Sequence, residues 1–324
     1  MSIEKALRCI REHKRFLVTS HANLEGDALG SELRMYALLT KLGKQAAVMN
    51  EDDLPYGYEF LPYVKRIRKY GKHARVPQFD CFVFVDCSDP KRTGSVYTVN
   101  TAAKPVLNID HHVSNAYFGD CNWVKPQASC ACEMVYELYK KLRVPLDKRS
   151  ATLLYAGIVT DTGSFRYSNT TAYTHQVAAD LLSYGLDVSK IYRSVYANIP
   201  YSDLQLLAAI YPTMQQDAGG RLVWFSIRKD QLAGHPKLSI DLGESVLGFG
   251  RSLKGVEVVL LFKENLDREN EVRVNFRSTG KVDVNAIAAQ FGGGGHKTAS
   301  GATVKGTLDA VQGSVLAAVK RALG

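Results

Sequence analysis

The chain has 324 residues, of which 46% are hydrophobic and 23% are charged. This composition is typical of a folded globular protein, and no apolar run approaches the roughly 20 residues that a membrane-spanning helix needs. The composition therefore excludes a disordered chain and argues against a membrane protein, and the length predicts two domains, each with its own core.

The charge and the cysteines add weaker indications. A formal net charge of +9 and a pI near 9.1 suit a polyanionic ligand, although a solvated basic surface explains them equally well. The excess charge is not concentrated in a tail, so we expect no duplex-binding arm. The six cysteines include no CxxC pair, and residues 1–15 form a charged amphipathic pattern without the apolar core of a signal peptide. We therefore expect reduced, structural cysteines and a cytoplasmic protein.

The first half of the chain has the pattern of alternating strands and helices. Strands are predicted at 15–20, 46–49, 79–85 and 103–109. Helices are predicted over 28–42, 129–142, 148–160, 171–184 and 188–197. The nearly continuous apolar runs of the last two strands are typical of parallel strands covered on both faces. We therefore predict an N-terminal, mostly parallel sheet flanked by helices, while residues 56–72 give no clear prediction.

The second half predicts a smaller, mixed α/β domain. A helical pattern over 199–214, broken at Pro212, predicts a connector, and Gly219-Gly220 is typical of a domain entry. Further strands are predicted at 222–227, 256–262 and 272–277, and further helices over 240–253, 283–291 and 308–323. The predicted organisation is a first domain over 1–195, a connector helix over 196–218 and a second domain over 219–324, with a partly antiparallel edge in its sheet.

Metal-type side chains follow the predicted strands of the first domain. They are His21, Glu25 and Asp27 after the first strand, Asp86 after the third, His111 after the fourth, and Asp161 at the end of a helix. Open α/β sheets keep their sites at the carboxyl ends of the strands, so these groups are expected to converge. Four carboxylates and two imidazoles suit two divalent cations such as Mn²⁺ or Mg²⁺, and no thiolate of a structural zinc site lies among them.

Each of these residues could also have an ordinary structural role. His21 could lie beside a helix N-cap, Asp27 could be a helix N-cap, and Asp86 and Asp161 could be turn formers. Taken together, however, such roles require every strand-end loop of the domain to carry a metal-type ligand by accident. The combination favours a shared metal site.

Five segments of the chain resemble the motifs of the DHH phosphoesterase superfamily. They are SHANLEGDALGSE, VDCSD, DHHVSN and GIVTDTGSF, and then FGGGGHKTASGA, which is similar to the DHH-associated C-terminal domain. The resemblance extends from about residue 14 to about residue 305 with the motifs in the family's order. Within the superfamily, the length and the GGGGH variant resemble the bifunctional oligoribonuclease and phosphoadenosine-phosphate phosphatase family, the nano-RNases.

The resemblance implies that residues 1–195 form a catalytic domain and that residues 219–324 bind the substrate. It implies a site for two divalent cations in the catalytic domain, Mn²⁺ first, with Mg²⁺ or Co²⁺ as alternatives. It implies that His21, Glu25 and Asp86 hold one ion. It implies that Asp27, Asp86, His111 and Asp161 hold the other, so that Asp86 bridges the two. The chain departs from the family at Glu25, where the first motif normally has Asp, and the longer side chain places its carboxylate one methylene further from the backbone.

The resemblance also implies roles around the scissile phosphate. His112 would act as a positive hydrogen-bond donor or an acid, Asp110 would orient a histidine, and Asn115 would lie near the phosphate. Two cations at such a site activate water for in-line attack, and the chain has no recognisable Ser or Cys nucleophile motif. We therefore expect hydrolysis without a covalent intermediate.

The glycine run before His296 suggests a substrate clamp. Backbone N–H groups of Gly294 and Gly295, at the end of a helix, could approach an anion that any Cβ would keep away. A flexible loop or a helix C-cap is the alternative, and the other four motifs favour the clamp. His296, Arg277 and Arg251 would then hold the phosphate or base of the end nucleotide.

The leading hypothesis is a cytoplasmic Mn²⁺-dependent phosphoesterase. The resemblance implies RNA of two to five nucleotides and adenosine 3′,5′-bisphosphate as substrates, and a homodimer. The absence of a regular aromatic ladder argues against long single strands, and no long duplex or membrane partner is expected. The alternatives are an inorganic pyrophosphatase, which should lack the GGGGH clamp, a phosphodiesterase of cyclic or linear dinucleotides, and a nucleotide-binding protein whose metal site is impaired at Glu25.

Overall fold

The computed structural model describes residues 3–232, 242–265 and 268–324, and the chain divides into two compact units, Met1–Asn198 and Ile199–Gly324. Each unit contains one six-stranded sheet. No helix in these described residues is both long and apolar enough to cross a membrane.

The first unit is built on a fully parallel sheet. Its strands are β1 (Arg15–Thr19), β2 (Gln45–Asn50), β3 (Ile67–Lys69), β4 (Cys81–Val85), β5 (Val106–Asp110) and β6 (Cys121–Val124). Their order in the sheet is β3-β2-β1-β4-β5-β6, and every neighbouring pair is parallel. The predicted parallel sheet is confirmed. The edge strands β3 and β6 are additional, and each is four residues or shorter.

Six helices belong to this unit. They are α1 (Ile3–Glu12), α2 (Gly26–Lys41), α3 (Ala131–Leu142), α4 (Lys148–Asp161), α5 (Ala172–Leu182) and α6 (Val188–Tyr196). Alternate residues of each strand face opposite sides of the sheet, so Val83 and Val85 pack in the large core with helix residues, whereas Phe82 and Phe84 pack against Val96. Helices therefore cover one face of the sheet, and irregular segments and short 3₁₀ turns cover the other.

Two glycines allow α2 and α4 to pack very closely. A Cβ on Gly26 would lie 2.4 Å from Thr160 Oγ1, and one on Gly157 would lie 2.3 Å from Cys132 Sγ and 3.0 Å from Asp27 Oδ1. These separations are shorter than any van der Waals contact, so a side chain at either position would force Thr160 or Cys132 to shift. The close packing brings the start of α2 next to the end of α4, where Asp161 lies.

The second unit contains a mixed sheet. Its strands are β7 (Gln215–Asp217), β8 (Leu222–Ile227), β9 (Val258–Glu264), β10 (Glu271–Ser278), β11 (Gly294–His296) and β12 (Ala299–Lys305), in the order β11-β12-β10-β9-β8-β7. Only β8 and β9 pair in parallel, and the other pairs are antiparallel. The predicted mixed α/β fold is confirmed, with more antiparallel pairing than the sequence indicates.

The helices of the second unit are α7 (Tyr201–Ile210), α8 (Lys229–Leu232), α9 (Leu242–Arg251), α10 (Val284–Ala289) and α11 (Leu308–Leu323). The predicted connector ends as expected at Pro212, where α7 gives way to a 3₁₀ turn, Tyr211–Thr213. The first two residues of the helix predicted over 240–253 lie outside the described residues. The separate roles assigned to residues 1–195, 196–218 and 219–324 stay a prediction.

Replacing Gly157 with alanine should destabilise the first unit. The new methyl group overlaps Cys132 Sγ, and overpacking of this kind costs about 1–3 kcal/mol in the free energy of unfolding. Gly313, which is exposed on α11 with no heavy atom within 4 Å of a built Cβ, is the matched control. Gly313→Ala should raise the free energy of unfolding by about 0.5–1 kcal/mol, since glycine weakens helix interiors. Urea unfolding of both variants measures the difference, and equal stabilities would contradict the proposed packing.

Candidate metal centre and active site

The site lies at the carboxyl ends of the central strands of the parallel sheet. From β1 the chain passes to β2 on one side of the sheet, while β4 pairs with β1 on the other side. Ligands of open α/β sheets bind at such a switch point. His21 follows β1, Asp86 follows β4 and His111 follows β5, so the topology brings these three residues to the same edge.

Asp86 is the centre of the cluster. Its Oδ2 lies 3.3 Å from His21 Nε2, and its Oδ1 lies 3.4 Å from His111 Nε2. His111 Nε2 also lies 3.6 Å from Asp161 Oδ2. Asp86 therefore contacts both predicted metal-binding histidines, one through each oxygen.

The backbone at Asp86 is strained to achieve this arrangement. Its φ is +52°, a left-handed conformation that costs a residue with a side chain about 1–3 kcal/mol. The amide of Asp86 donates to the carbonyl of Ile109 at 3.0 Å, which holds the turn in place. Asp86 Oδ1 is buried and has no partner within hydrogen-bonding geometry. A buried carboxylate oxygen of this kind fits a metal ligand.

Glu25 and Asp27 both lie at helix N-termini. Glu25 is the N-cap of α2, where its Oε1 accepts from Ala28 N at 2.8 Å and its Oε2 from Asp27 N at 3.0 Å. Asp27 instead accepts from the amides of Ala131 and Cys132 at the start of α3, at 2.6 and 2.8 Å. The alternative in which Asp27 caps α2 is therefore wrong, because Glu25 occupies that position.

Burial and mutual repulsion perturb the acidic groups. Burial, followed by the charge of Asp27, raises the pKa of Asp161 to about 9. Burial and the Asp86 carboxylate raise the pKa of Glu25 to about 7 and that of Asp27 to about 6. A divalent cation among these groups would favour the ionised form of each carboxylate, and so lower its pKa.

The two histidines respond in the opposite sense. Burial disfavours the imidazolium, but contact with Asp86 outweighs it and raises the pKa of His21 to about 9 and of His111 to about 10. The same interactions hold the pKa of Asp86 well below its usual range, although burial opposes this. The site thus concentrates negative charge that only cations, here imidazolium or metal, can balance.

The residues fit two divalent cations. One group of ligand atoms, from His21, Glu25 and Asp86, lies within 4.8 Å of one another, and so does a second, from Asp27, His111 and Asp161. All six predicted ligands are thus brought together, with Asp86 between the groups. Oxygen-rich sets with one imidazole each suit Mn²⁺ or Mg²⁺, and the identity of the ion stays a prediction.

A second network orients His112. Its Nδ1 donates to Asp110 Oδ1 at 2.7 Å, and the other oxygen of Asp110 accepts from Asn115 Nδ2 at 2.6 Å. Asn115 also donates to Asn108 Oδ1 at 2.8 Å. Asp110 therefore contacts His112 rather than His111, and the Asn115 amide supports Asp110. Contact of Asn115 with a phosphate stays a prediction.

Arg92 completes this network, and no sequence motif singled it out. Its Nη1 lies 3.1 Å from His112 Nε2 and 3.2 Å from Ser88 Oγ. The signal that could have found it is Asp89-Pro90, which forms a 3₁₀ turn and folds Arg92 back over Ser88. Since Nδ1 of His112 faces a carboxylate, Nε2 is free to accept a hydrogen bond from the guanidinium.

The glycine run of the second unit begins at the end of α10 and continues into an edge strand. Gly294, Gly295 and His296 pair with Gly301, Ser300 and Ala299 of β12. A Cβ on Gly295, where φ is +149°, would lie 2.5 Å from the carbonyl oxygen of Ala299. The predicted helix end and C-cap are confirmed at the start of the run, where Gly292 has a φ of +70° and Gly293 N donates to Ala288 O of α10, whereas the prediction of a flexible loop is wrong for 294–296. Their glycines allow two strands to approach.

The predicted substrate-binding side chains of this unit are His296, Arg277 and Arg251. His296 is exposed. His296 and Arg277 lie on the two strands that flank β12, and each pairs with Ala299, so the three side chains lie on one face of the sheet. Arg277 and Arg251 both form ion pairs with Glu244, the latter at 4.0 Å. The structure therefore brings His296 and Arg277 to one face, and links Arg251 to Arg277 through Glu244.

The comparisons with known proteins agree with this architecture. The N-terminal domain of the DHH family matches residues 15–158, and the DHHA1 domain matches residues 244–324. A protein named bifunctional oligoribonuclease and PAP phosphatase NrnA from Thermus thermophilus is 33% identical over 308 residues, which cover 94% of this chain and 89% of that protein. The chain belongs to the DHH family.

Two further DHH relatives extend the comparison. A Bacillus subtilis protein, also named bifunctional oligoribonuclease and PAP phosphatase NrnA, is 34% identical over 202 residues, which cover 61% of this chain and 62% of that protein. The crystal structure of an exopolyphosphatase-related protein from Bacteroides fragilis is 25% identical, covers 99% of this chain and 95% of that chain, and has a TM-score of 0.88. The family predicted from the five motifs is confirmed.

Replacing Asp86 of the DHH domain with asparagine should abolish tight binding of divalent cations. Asparagine tolerates the left-handed backbone at this position, so the fold is retained while the charge shared by both ligand groups is lost. We expect the affinity for Mn²⁺, measured by isothermal titration calorimetry, to fall at least about 100-fold. The control is Asp89→Asn on the same turn, since either side chain can cap the 3₁₀ turn. Equal Mn²⁺ affinities of the two variants would argue against a shared Asp86.

Proposed function

We propose that this DHH protein is a divalent-metal-dependent phosphoesterase that hydrolyses short oligoribonucleotides and adenosine 3′,5′-bisphosphate to mononucleotides and phosphate. The observation that carries the proposal is the buried Asp86 carboxylate, shared by His21 and His111 and surrounded by three further carboxylates. The names of the relatives from Thermus thermophilus and Bacillus subtilis support the choice of substrate class. We place the activity in the cytoplasm, and a homodimer stays a prediction from the family.

Six residues of the protein are proposed to bind the two cations of the metal centre. His21, Glu25 and Asp86 would hold one cation, and Asp27, Asp86, His111 and Asp161 the other, with Mn²⁺ as the proposed ion. When bound, such a pair lowers the pKa of a shared water and neutralises the oxygens of the attacked phosphate. The hydrogen bond from His21 Nδ1 to the carbonyl of Ala22, at 2.7 Å, leaves Nε2 as the ligand atom.

His112 is proposed to transfer a proton to the leaving oxygen. Asp110, which is fully buried, accepts from His112 Nδ1, so a proton for transfer would be carried on Nε2 once a phosphate oxygen of the substrate replaces that nitrogen as the partner of Arg92. Arg92, beside that nitrogen, adds a fixed positive charge that favours a phosphate oxygen at the same place. Together the two side chains provide charge stabilisation and an acid without a covalent intermediate.

The DHHA1 domain is proposed to hold the end of a short substrate. His296 and Arg277 flank the small residue Ala299 on one sheet face, and their backbones are about 10 Å apart across two strand spacings. That distance suits one phosphate or one nucleoside rather than an extended strand. A site with one such clamp is expected to prefer substrates of a few nucleotides.

An assay in Mn²⁺ with four substrates tests this function. We expect the protein to hydrolyse adenosine 3′,5′-bisphosphate and a dinucleotide, and to be much slower on a long RNA and on pyrophosphate. His112→Ala should lower kcat for both nucleotide substrates by roughly 100- to 10,000-fold, the range typical of a lost acid–base group. Its Mn²⁺ affinity should stay within a few-fold of the original protein, because His112 is outside the two proposed ligand groups.

Other outcomes of this assay would identify a different function. Faster release of phosphate from pyrophosphate would favour a pyrophosphatase. If a cyclic dinucleotide is added as a fifth substrate, turnover of that substrate alone would favour a cyclic-dinucleotide phosphodiesterase. Tight binding of nucleotides without turnover in Mn²⁺ would indicate a binding protein.

The clamp is tested separately with His296→Ala. We expect KM for a dinucleotide to rise about tenfold with kcat changed less, because the side chain contacts the substrate away from the reacting phosphate. His73→Ala, which also removes an exposed imidazole, is the matched control and should leave both constants unchanged. Identical kinetics of the two variants would remove His296 from the clamp.

A further inference from the structure

A group of cysteine and histidine side chains lies at the opposite edge of the parallel sheet from the DHH site. Cys81 is the first residue of β4 and Cys121 the first residue of β6, so both lie at the amino ends of their strands. Cys9 comes from α1, and His13 follows that helix directly before β1. Of the groups of metal-type side chains in the described parts of the chain, only the one that contains Cys9, His13 and Cys81 has no residue in the DHH site.

Two distances within this group are close to those of a tetrahedral metal site. Cys9 Sγ lies 3.5 Å from Cys81 Sγ and 3.8 Å from His13 Nδ1. With Zn–S bonds of about 2.3 Å and Zn–N bonds of about 2.0 Å, tetrahedral geometry separates two sulfurs by about 3.8 Å, and a sulfur and a nitrogen by about 3.5 Å. Each observed distance is therefore within about 0.3 Å of the ideal value.

A fourth donor is close by. Cys121 lies beside this group and interacts with Cys9, but it is not among the three residues whose ligand atoms all lie within 4.8 Å of one another, so its Sγ would move toward the ion on binding. Three thiols and one imidazole form the Cys₃His set of structural zinc sites, and soft sulfur ligands select zinc over manganese and magnesium. The four ligands come from three segments of the chain, with Cys9 and His13 four residues apart, which explains why no CxxC spacing appears in the sequence.

The surroundings permit His13 to bind a metal. His13 Nδ1 now lies 2.9 Å from the carbonyl oxygen of Cys9, and a metal would take this nitrogen away from that oxygen. The same carbonyl also accepts from the backbone amide of His13 at 3.3 Å, so it would keep a partner. His13 and Cys121 are half-buried whereas Cys9 and Cys81 are buried, so an ion can enter from the side of the first two.

We propose that Cys9, His13, Cys81 and Cys121 form a zinc site that fastens α1 to the amino edge of the parallel sheet. This site is separate from the DHH centre in position and in ligand chemistry. It does not rest on the proposed phosphoesterase function, and either can fail without the other.

Titration of the full chain with Co²⁺, as a spectroscopic substitute for Zn²⁺, tests the proposal. The chain is reduced, treated with a chelator and titrated without oxygen. Thiolate ligands give Co²⁺ an intense charge-transfer absorption in the near ultraviolet, which the oxygen and imidazole ligands of the DHH site do not give. We expect one thiolate-bound Co²⁺ per chain and its displacement by one Zn²⁺.

Variants of the four ligands distinguish this site from Co²⁺ bound at any remaining thiol. Cys121→Ser should lower the charge-transfer absorption by roughly one third, as expected when one of three thiolates is lost. His13→Ala should weaken Co²⁺ binding at least about tenfold, because it removes the only nitrogen ligand. Cys130→Ser is the control, since serine replaces the N-cap thiol of α3 without loss of the cap, and it should leave the absorption unchanged. Asp86→Asn should also leave it unchanged.

Two results would overturn the zinc site. One is the absence of thiolate absorption at saturating Co²⁺ in the reduced original chain. If mass spectrometry of the oxidised protein then finds a Cys9–Cys81 disulfide, these two thiols form a redox pair instead of a metal site. The other is thiolate absorption that is unaffected by both Cys121→Ser and His13→Ala.

Discussion

Electrostatic repulsion among buried carboxylates is the constraint on which the DHH domain depends. Glu25, Asp27, Asp86 and Asp161 lie around one point, and burial of ionised carboxylates is unfavourable unless each has compensating partners. The protein supplies part of this compensation from helix N-termini, since Glu25 caps α2 and Asp27 accepts two amides at the start of α3. The remaining excess of negative charge is what makes this edge of the sheet selective for cations.

The packing of the helices is adapted to that concentration of charge. Gly26 and Gly157 let α2 and α4 approach so closely that Asp27 and Asp161 can belong to one ligand group. Asp86 reaches the same point only from a left-handed backbone, whose strain the strand pairing on either side of β4 must offset. Strain, close helix packing and buried charge are thus three consequences of one requirement, the convergence of ligands from several segments.

The sequence predicted those features that are encoded locally or by motif. Strands β4 and β5 were found because strands buried on both faces are continuous apolar runs, and the ligand residues were found because each follows such a run or resembles a family motif. The strands β6, β11 and β12 were missed because their pairing depends on partners elsewhere in the chain. The glycine run was placed at a helix end, but Gly293 and Gly295 are required by close contact with β12, which no local pattern shows. Arg92 was missed because its contacts with Ser88 and His112 form only after the turn at Pro90.

The two edges of the parallel sheet differ in the metals that they favour. The carboxyl edge offers oxygens with one imidazole per ligand group, whereas the amino edge offers sulfurs with one imidazole. Because Zn²⁺ binds most nitrogen and oxygen sites more tightly than Mn²⁺, a carboxylate site for Mn²⁺ is open to displacement by Zn²⁺. Thiolates bind Zn²⁺ more strongly still, so a sulfur site on the same domain would take the first equivalent of zinc and leave the DHH centre to the harder ion. If both sites bind as proposed, the sulfur ligands at one end of the strands and the oxygen ligands at the other would let one sheet distinguish between two kinds of metal ion.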